Sequence, residues 1–217
     1  RDKEIFICFS GTSQLGHEAN LFHSLERHET GRRPIALAAS EDHSRIYIAN
    51  YFDDSISVFD RSKNRIVDTI SLGAMRPETT ADQGHAFFFN SRLSLDGWYS
   101  CHSCHPDGHT NGLLNENMSD FQIDSPKRVL TLLGTRQTGP WAWTGNKPDL
   151  KNQINKSIHV TMQGGNSKLA NENTEQALVA YLETLQPAVP LAVARKFQSS
   201  ASVSRGKELF ESRSCWS

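Results

Sequence analysis

Five consecutive residues, Cys101-His102-Ser103-Cys104-His105, constrain this chain more than any other stretch. Two thiols separated by two residues stand about one helical turn apart, and a histidine follows the second directly. That pattern is the attachment signature of a c-type haem. The thiols add across the two vinyl groups of one macrocycle, and His105 is then placed beneath the iron as its proximal axial ligand. A redox dithiol needs no trailing histidine and prefers a strand-to-helix setting. A zinc site would want a second pair of ligands at metal spacing, whereas Cys8 and Cys215 are single and remote. The motif therefore predicts one covalent haem c on Cys101, Cys104 and His105. His102 and His109 read as surface residues or neighbours of the haem propionates, and Cys8 as a buried, inert strand thiol.

The 217 residues suffice for one large or two modest domains. With 23 basic against 24 acidic side chains, the formal net charge is -1, which offers no nucleic-acid-binding face. The apolar runs are far too short to span a bilayer, and Arg1-Asp2-Lys3 opens no signal-peptide pattern. Such an opening is expected inside a larger protein or after processing. Haem attachment to two cysteines takes place outside the bacterial inner membrane, so a periplasmic or otherwise exported location is expected.

Residues 1 to about 73 read as strands. The apolar runs Ile5–Phe9, Pro34–Ala38 and Ile46–Asn50 are closed by turn residues. Ser55 to Val58 alternates with period two, and Arg65–Ile70 ends at Leu72-Gly73. Short strands at close spacing predict an antiparallel meander. From Ala81 the pattern becomes helical, with an aromatic helix over Gln83–Phe89 leading into the haem motif. Residues 113 to 128 show no clear period. Leu150, Ile154 and Ile158 predict a helix over Asp149–His159. Ala177, Leu178, Tyr181, Leu182 and Leu185 share one face of a helix over Asn173–Leu185, with Asn173 and Gln176 as a capping box. Residues 186 to 200 read as a linker.

The chain also repeats itself. Gly84-His85-Ala86-Phe87-Phe88 precedes Ser100-Cys101-His102-Ser103, and Gly206-Lys207-Glu208-Leu209-Phe210 precedes Ser214-Cys215-Trp216-Ser217. The parallel predicts Cys-His after Ser217 and hence a second haem c in the full-length protein, with Cys215 as its first thiol.

Residues 32 to 73 resemble a blade of the YVTN-type β-propeller family, with Tyr47-Ile48-Ala49-Asn50 standing for its hallmark. A complete propeller needs about four blades or more, so this would be a fragment. Residues 81 to 217 resemble the bacterial di-haem cytochrome c peroxidases, in the branch fused to such propellers. The resemblance implies two consecutive cytochrome c domains, the first meeting peroxide and the second passing in electrons. It implies that Trp143 lies between the haems and that Gln153 belongs to the peroxide pocket. One position departs, since the family's acid–base glutamate aligns with Thr161, whose hydroxyl cannot exchange a proton near neutral pH as a carboxylate can. The family's distal histidine falls within Asn115–Gln122, which has none.

The expected architecture is thus multidomain: a β-propeller fragment over 1–77, an all-α cytochrome c domain with covalent haem over 78–190, and over 191–217 a linker with the start of a second cytochrome c domain. The expected function is that of a c-type haem redox protein, transferring electrons and leaning towards peroxidase-type catalysis on hydrogen peroxide. The alternative is a pure electron-transfer module attached to a propeller that binds a partner or ligand. A redox protein or small electron donor is the expected partner. For the sixth position on the iron, Met162 is the candidate placed best, before the capped helix and beside the flexible Gln163-Gly164-Gly165; Met118 and His159 are the alternatives.

Overall fold

The computed structural model describes residues 4–8, 25–74, 76–118, 124–196 and 200–214, with the backbone alone for 4–8 and 25–27. Cys215 and residues 119–123 lie outside the described residues, as does the side chain of Cys8. Contacts divide the chain into two units, residues 1–185 and 186–217.

The first unit begins with an antiparallel pair, β1 (Glu4–Cys8) and β2 (Leu25–Glu29). A four-stranded antiparallel meander follows in sequence order: β3 (Pro34–Ala39), β4 (Arg45–Asn50), β5 (Ser55–Asp60) and β6 (Arg65–Ser71). Ile48, Val58 and Phe59 are buried in its two central strands. β5 departs from the expected alternation: Ser55 and Ser57 are buried while Ile56 is half-buried, and the adjacent Val58 and Phe59 are both buried where the pairing with β6 shifts register. Asn50 is buried with them and donates through Nδ2 to the hydroxyls of Ser55 and Ser57, at 3.1 and 2.9 Å. Apolar residues on both outer strands are exposed, Leu37 on β3 at 64% and Ile70 on β6 at 43%, while Ile66 and Val67 on β6 are half-buried.

Helices form the rest of this unit. α1 (Thr80–Phe89) starts at a capping box in which Thr79 accepts from the Asp82 N–H and the Asp82 carboxylate accepts from the Thr79 N–H. α2 (Cys101–Cys104) is the haem-motif turn, capped by a similar exchange between Ser100 and Ser103. Among the described residues of 113–128, the regular structure is a two-residue ladder, β7 (Leu114–Asn115) with β8 (Lys127–Arg128), too short to leave a period in the sequence. α3 (Leu150–Lys156) runs into a π-type turn over Ser157–Thr161. The helix expected through His159 therefore widens in its last residues rather than ending as an α-helix. α4 (Glu172–Leu182) is shorter than expected, and its cap is Asn171, which accepts from the Thr174 N–H at 3.1 Å. Asn173 lies inside the helix, two residues beyond the capping position.

The core of these helices is Phe88, Leu93, Leu150, Ile154, Ile158, Met162, Leu178, Tyr181 and Leu182. α1 and α4 cross so closely that a Cβ on Gly84 would stand 1.8 Å from the Ala177 carbonyl oxygen. The sheet is fastened to α1 by two adjacent arginines. Arg32 donates to Asp53 at 2.6 Å and to Glu78 at 2.9 Å. Arg33 lies 3.5 Å over the ring of Phe89 and faces Tyr51 and Phe52 as well.

In the second unit, α5 (Leu191–Ala194) and α6 (Ala201–Ser212) are exposed throughout. α6 covers the predicted helix at Gly206–Phe210. α5 interrupts the segment read as a linker.

Candidate functional site

The haem motif folds as one helical turn because Ser100 and Ser103 cap it and because the His105 N–H returns to the Cys101 carbonyl at 2.9 Å. Pro106 then opens a tight turn, with Asp107 at φ +50° and Gly108 at φ +77°. This reversal brings the His109 carbonyl to 3.2 Å from His105 Nδ1. A carbonyl can only accept, so Nδ1 carries the proton and Nε2 keeps its lone pair. Burial pushes the His105 pKa down, which favours the same neutral imidazole. A ring nitrogen fixed in this way is how a metal-ligating histidine is usually oriented.

Cys101, Cys104 and His105 line one cavity of about 470 Å³, within the size range of a cofactor pocket. The two thiols are unpaired. Desolvation pushes the Cys101 thiol up to about 12 and raises that of Cys104 as well. The Asn115 amide donates to Cys104 Sγ at 3.2 Å. Phe88, Leu132, Leu150, Ile154, Ile158 and Leu178 supply much of an apolar wall. The polar end is made by Asn117, Gln153, Lys156, Ser157 and Thr161.

The other sequence candidates divide. Gln153 lines the cavity, donates through Nε2 to Ser157 Oγ at 3.1 Å, and buries Oε1 with no hydrogen-bond partner. Met162 lines it too and is buried. Trp143 lies at the rim, 44% exposed, with its indole N–H on the Arg128 carbonyl at 2.9 Å. Trp141 packs against the core and donates to the Thr135 carbonyl at 3.0 Å. His159 is not among the lining residues; its Nε2 lies 3.8 Å from the Glu175 carboxylate on α4. Met118, at φ +52°, is also outside the lining. The Thr161 hydroxyl is committed on both sides, accepting from Lys156 Nζ at 3.0 Å and donating to the Asn117 carbonyl at 3.1 Å. Lys156 Nζ also donates to that carbonyl.

His109 is exposed, as expected, and bonds Thr131 Oγ1 at 2.7 Å. His102 differs from the surface reading: its ring packs 4.3 Å from that of Phe89, and Nδ1 accepts from the Asp107 N–H. Nothing in the sequence marks Tyr99 as part of the site. Its ring lines the cavity and its hydroxyl donates to the Thr161 carbonyl at 2.8 Å. A tyrosine two residues before the motif carries no signal of that contact, which spans 62 positions.

A family model described as di-haem cytochrome c peroxidase matches residues 78–209. The chain belongs to that family. Members of that family are haem-binding, peroxidase-like redox proteins with haem c as their cofactor class. Among solved structures it is similar to the hydrazine synthase of Kuenenia stuttgartiensis, pressurised with 20 bar xenon, at 22% identity and a TM-score of 0.51. That likeness shows the fold alone; it covers 68% of this chain and 56% of the other, so the chain spans little more than half of that relative. No curated protein matches it.

The residues present fit a haem c. The donor set is two thiols and one oriented imidazole on a single, largely apolar cavity. Among the described residues, no helix is long and apolar enough to cross a membrane.

Proposed function

We propose that Cys101 and Cys104 hold one haem c covalently, that His105 is its proximal ligand and Met162 its distal one, and that this centre passes electrons to or from a redox partner outside the inner membrane. The observation that carries the reading is the His105 Nδ1 contact to the His109 carbonyl, beside both thiols on one cavity. When bound, haem c supplies a one-electron redox centre. Around it, this chain's residues exclude water along the aliphatic wall, fix the imidazole tautomer and offer Met162 from the facing turn. A thioether ligand favours reduced iron and raises the potential relative to a second histidine. The rim tryptophan Trp143 is the side chain best placed to meet a second haem or a partner. Absorption spectra in both redox states test the reading. Low-spin spectra with a sulfur-to-iron charge-transfer band, lost in Met162→Ala, are expected; a spectrum unchanged by that substitution removes Met162 as ligand.

Peroxide reduction is the second reading, favoured by the unpartnered Gln153 oxygen. That oxygen can accept a hydrogen bond from a small hydroxylic ligand. Against it, Thr161 stands where the family has a carboxylate, and its hydroxyl is already engaged with Lys156 and Asn117. Peroxide turnover that falls at least about tenfold in Gln153→Leu would establish this reading, since about 1.4 kcal/mol corresponds to that factor; a wild type without turnover ends it.

The sheet's order and its exposed apolar outer strands support a propeller blade, with neighbouring blades covering Leu37 and Ile70. The same reading makes α6 the lead-in to a second haem motif beginning at Cys215.

A further inference from the structure

The turn that follows α3 forms one wall of the cavity, and three contacts tie it to the segment just before the haem-motif turn. The Leu95 N–H donates to the Met162 carbonyl at 2.9 Å. The Tyr99 hydroxyl donates to the Thr161 carbonyl at 2.8 Å. Gly164 lies so near that a Cβ there would stand 1.9 Å from the Leu93 carbonyl oxygen. The two bonded carbonyls belong to the end of a helix, where oxygens lack intrahelical partners, so each donor from 93–99 meets an unmet need. Tyr99 is itself held, since its N–H donates to Ser94 Oγ at 3.2 Å. Tyr99 and Met162 both line the cavity, and Cys101 is only two residues beyond Tyr99. The attachment side and the facing turn are therefore braced against each other locally.

We propose that Tyr99 is a positioning residue: its hydrogen bond to the Thr161 carbonyl holds Met162 in the cavity wall and limits the access of small outside ligands to the haem. The inference rests on the haem reading above. Loss of the hydroxyl leaves the aromatic ring in place but frees the turn to move away, so the distal position opens more often.

Tyr99→Phe in the haem-loaded full chain tests it, with two readouts: the spin state of the oxidised protein by absorption, and the rate of cyanide binding. High-spin haem should rise and cyanide should bind several-fold to about tenfold faster, the range set by the net worth of one buried hydrogen bond. Tyr51→Phe, which removes an exposed hydroxyl from the sheet side, should change neither. Leu95→Pro removes the second donor at the first position of a 3-10 turn, after an extended Ser94 (φ -110°, ψ 164°) that tolerates a following proline. It should act in the same direction, and it decides the matter if Tyr99→Phe fails to take up haem. A loaded Tyr99→Phe indistinguishable from wild type in both readouts overturns the role of Tyr99. A wild type carrying no covalent haem overturns the haem reading instead, and this role with it.

Discussion

At the residue scale, a few atoms decide what the chain can hold. The His105 imidazole tautomer is fixed by one backbone carbonyl, and that carbonyl arrives because Asp107 and Gly108 reverse the chain at positive φ. Gly84 is as consequential for the fold. With the Ala177 carbonyl 1.8 Å from where its Cβ would lie, the obstacle is backbone and cannot rotate aside. Gly84→Ala should force α1 off α4 and cost about 1–3 kcal/mol, the usual range for overpacking a tight core. Urea unfolding measures it, and a midpoint unmoved from wild type would show that the helices part freely. Gly206, which repeats Gly84 in sequence, has nothing within 4 Å of its Cβ position, so the same substitution there should be neutral or stabilising.

At the element scale, α1 joins the sheet to the haem helices through His85. Its ring stacks on Tyr181 at 4.7 Å and meets Phe52 and Phe89 edge-on. Burial first, and then the nearby Arg33 charge, lower its pKa. A histidine held neutral in the folded state takes up its proton more readily when unfolded, so stability rises with pH between the lowered folded pKa and the unfolded value of about 6.5. As pH falls through that window the protein should lose stability, and below the folded pKa the loss should level off. His85→Phe should flatten this part of the stability profile; an identical slope in wild type and variant would remove His85 as its source. Much of the element order is legible in the sequence, because the short apolar runs of the strands and the four-residue steps of α3 and α4 mark where the elements lie; the alternation in β5 does not give its buried face, since Ser55 and Ser57 are buried and Ile56 only half-buried. The helix cap at Asn171 is less legible: Asn171 and Asn173 are chemically equal, and packing of Thr174 and Ala177 against neighbours selects between them. The Cys-x-x-Cys-His site is local and hence readable. The facing wall is not, since Tyr99, Asn117, Lys156 and Thr161 meet only through the π-type turn.

At the scale of the whole first unit, the sheet and the helices are one body in which the haem motif's neighbours are fixed from the sheet side. Arg33 covers Phe89, and Phe89 in turn packs against His102 within the motif. Arg33→Ala should destabilise the unit by about 1–2 kcal/mol through the lost cation–π contacts, read as a lowered midpoint in urea; no change would show that Arg32 with Asp53 and Glu78 suffices to hold the junction. The proposed function puts one haem on this body, held by two thioethers with His105 beneath it. Intact mass spectrometry of the protein made in a host that attaches haem c, followed by sequencing of the peptide containing Cys101–His105, tests it most directly. The mass of one haem should be retained under denaturing conditions on that peptide, reduced to a single thioether link in Cys101→Ala. A peptide with two free thiols, or with a disulfide between them, would contradict it.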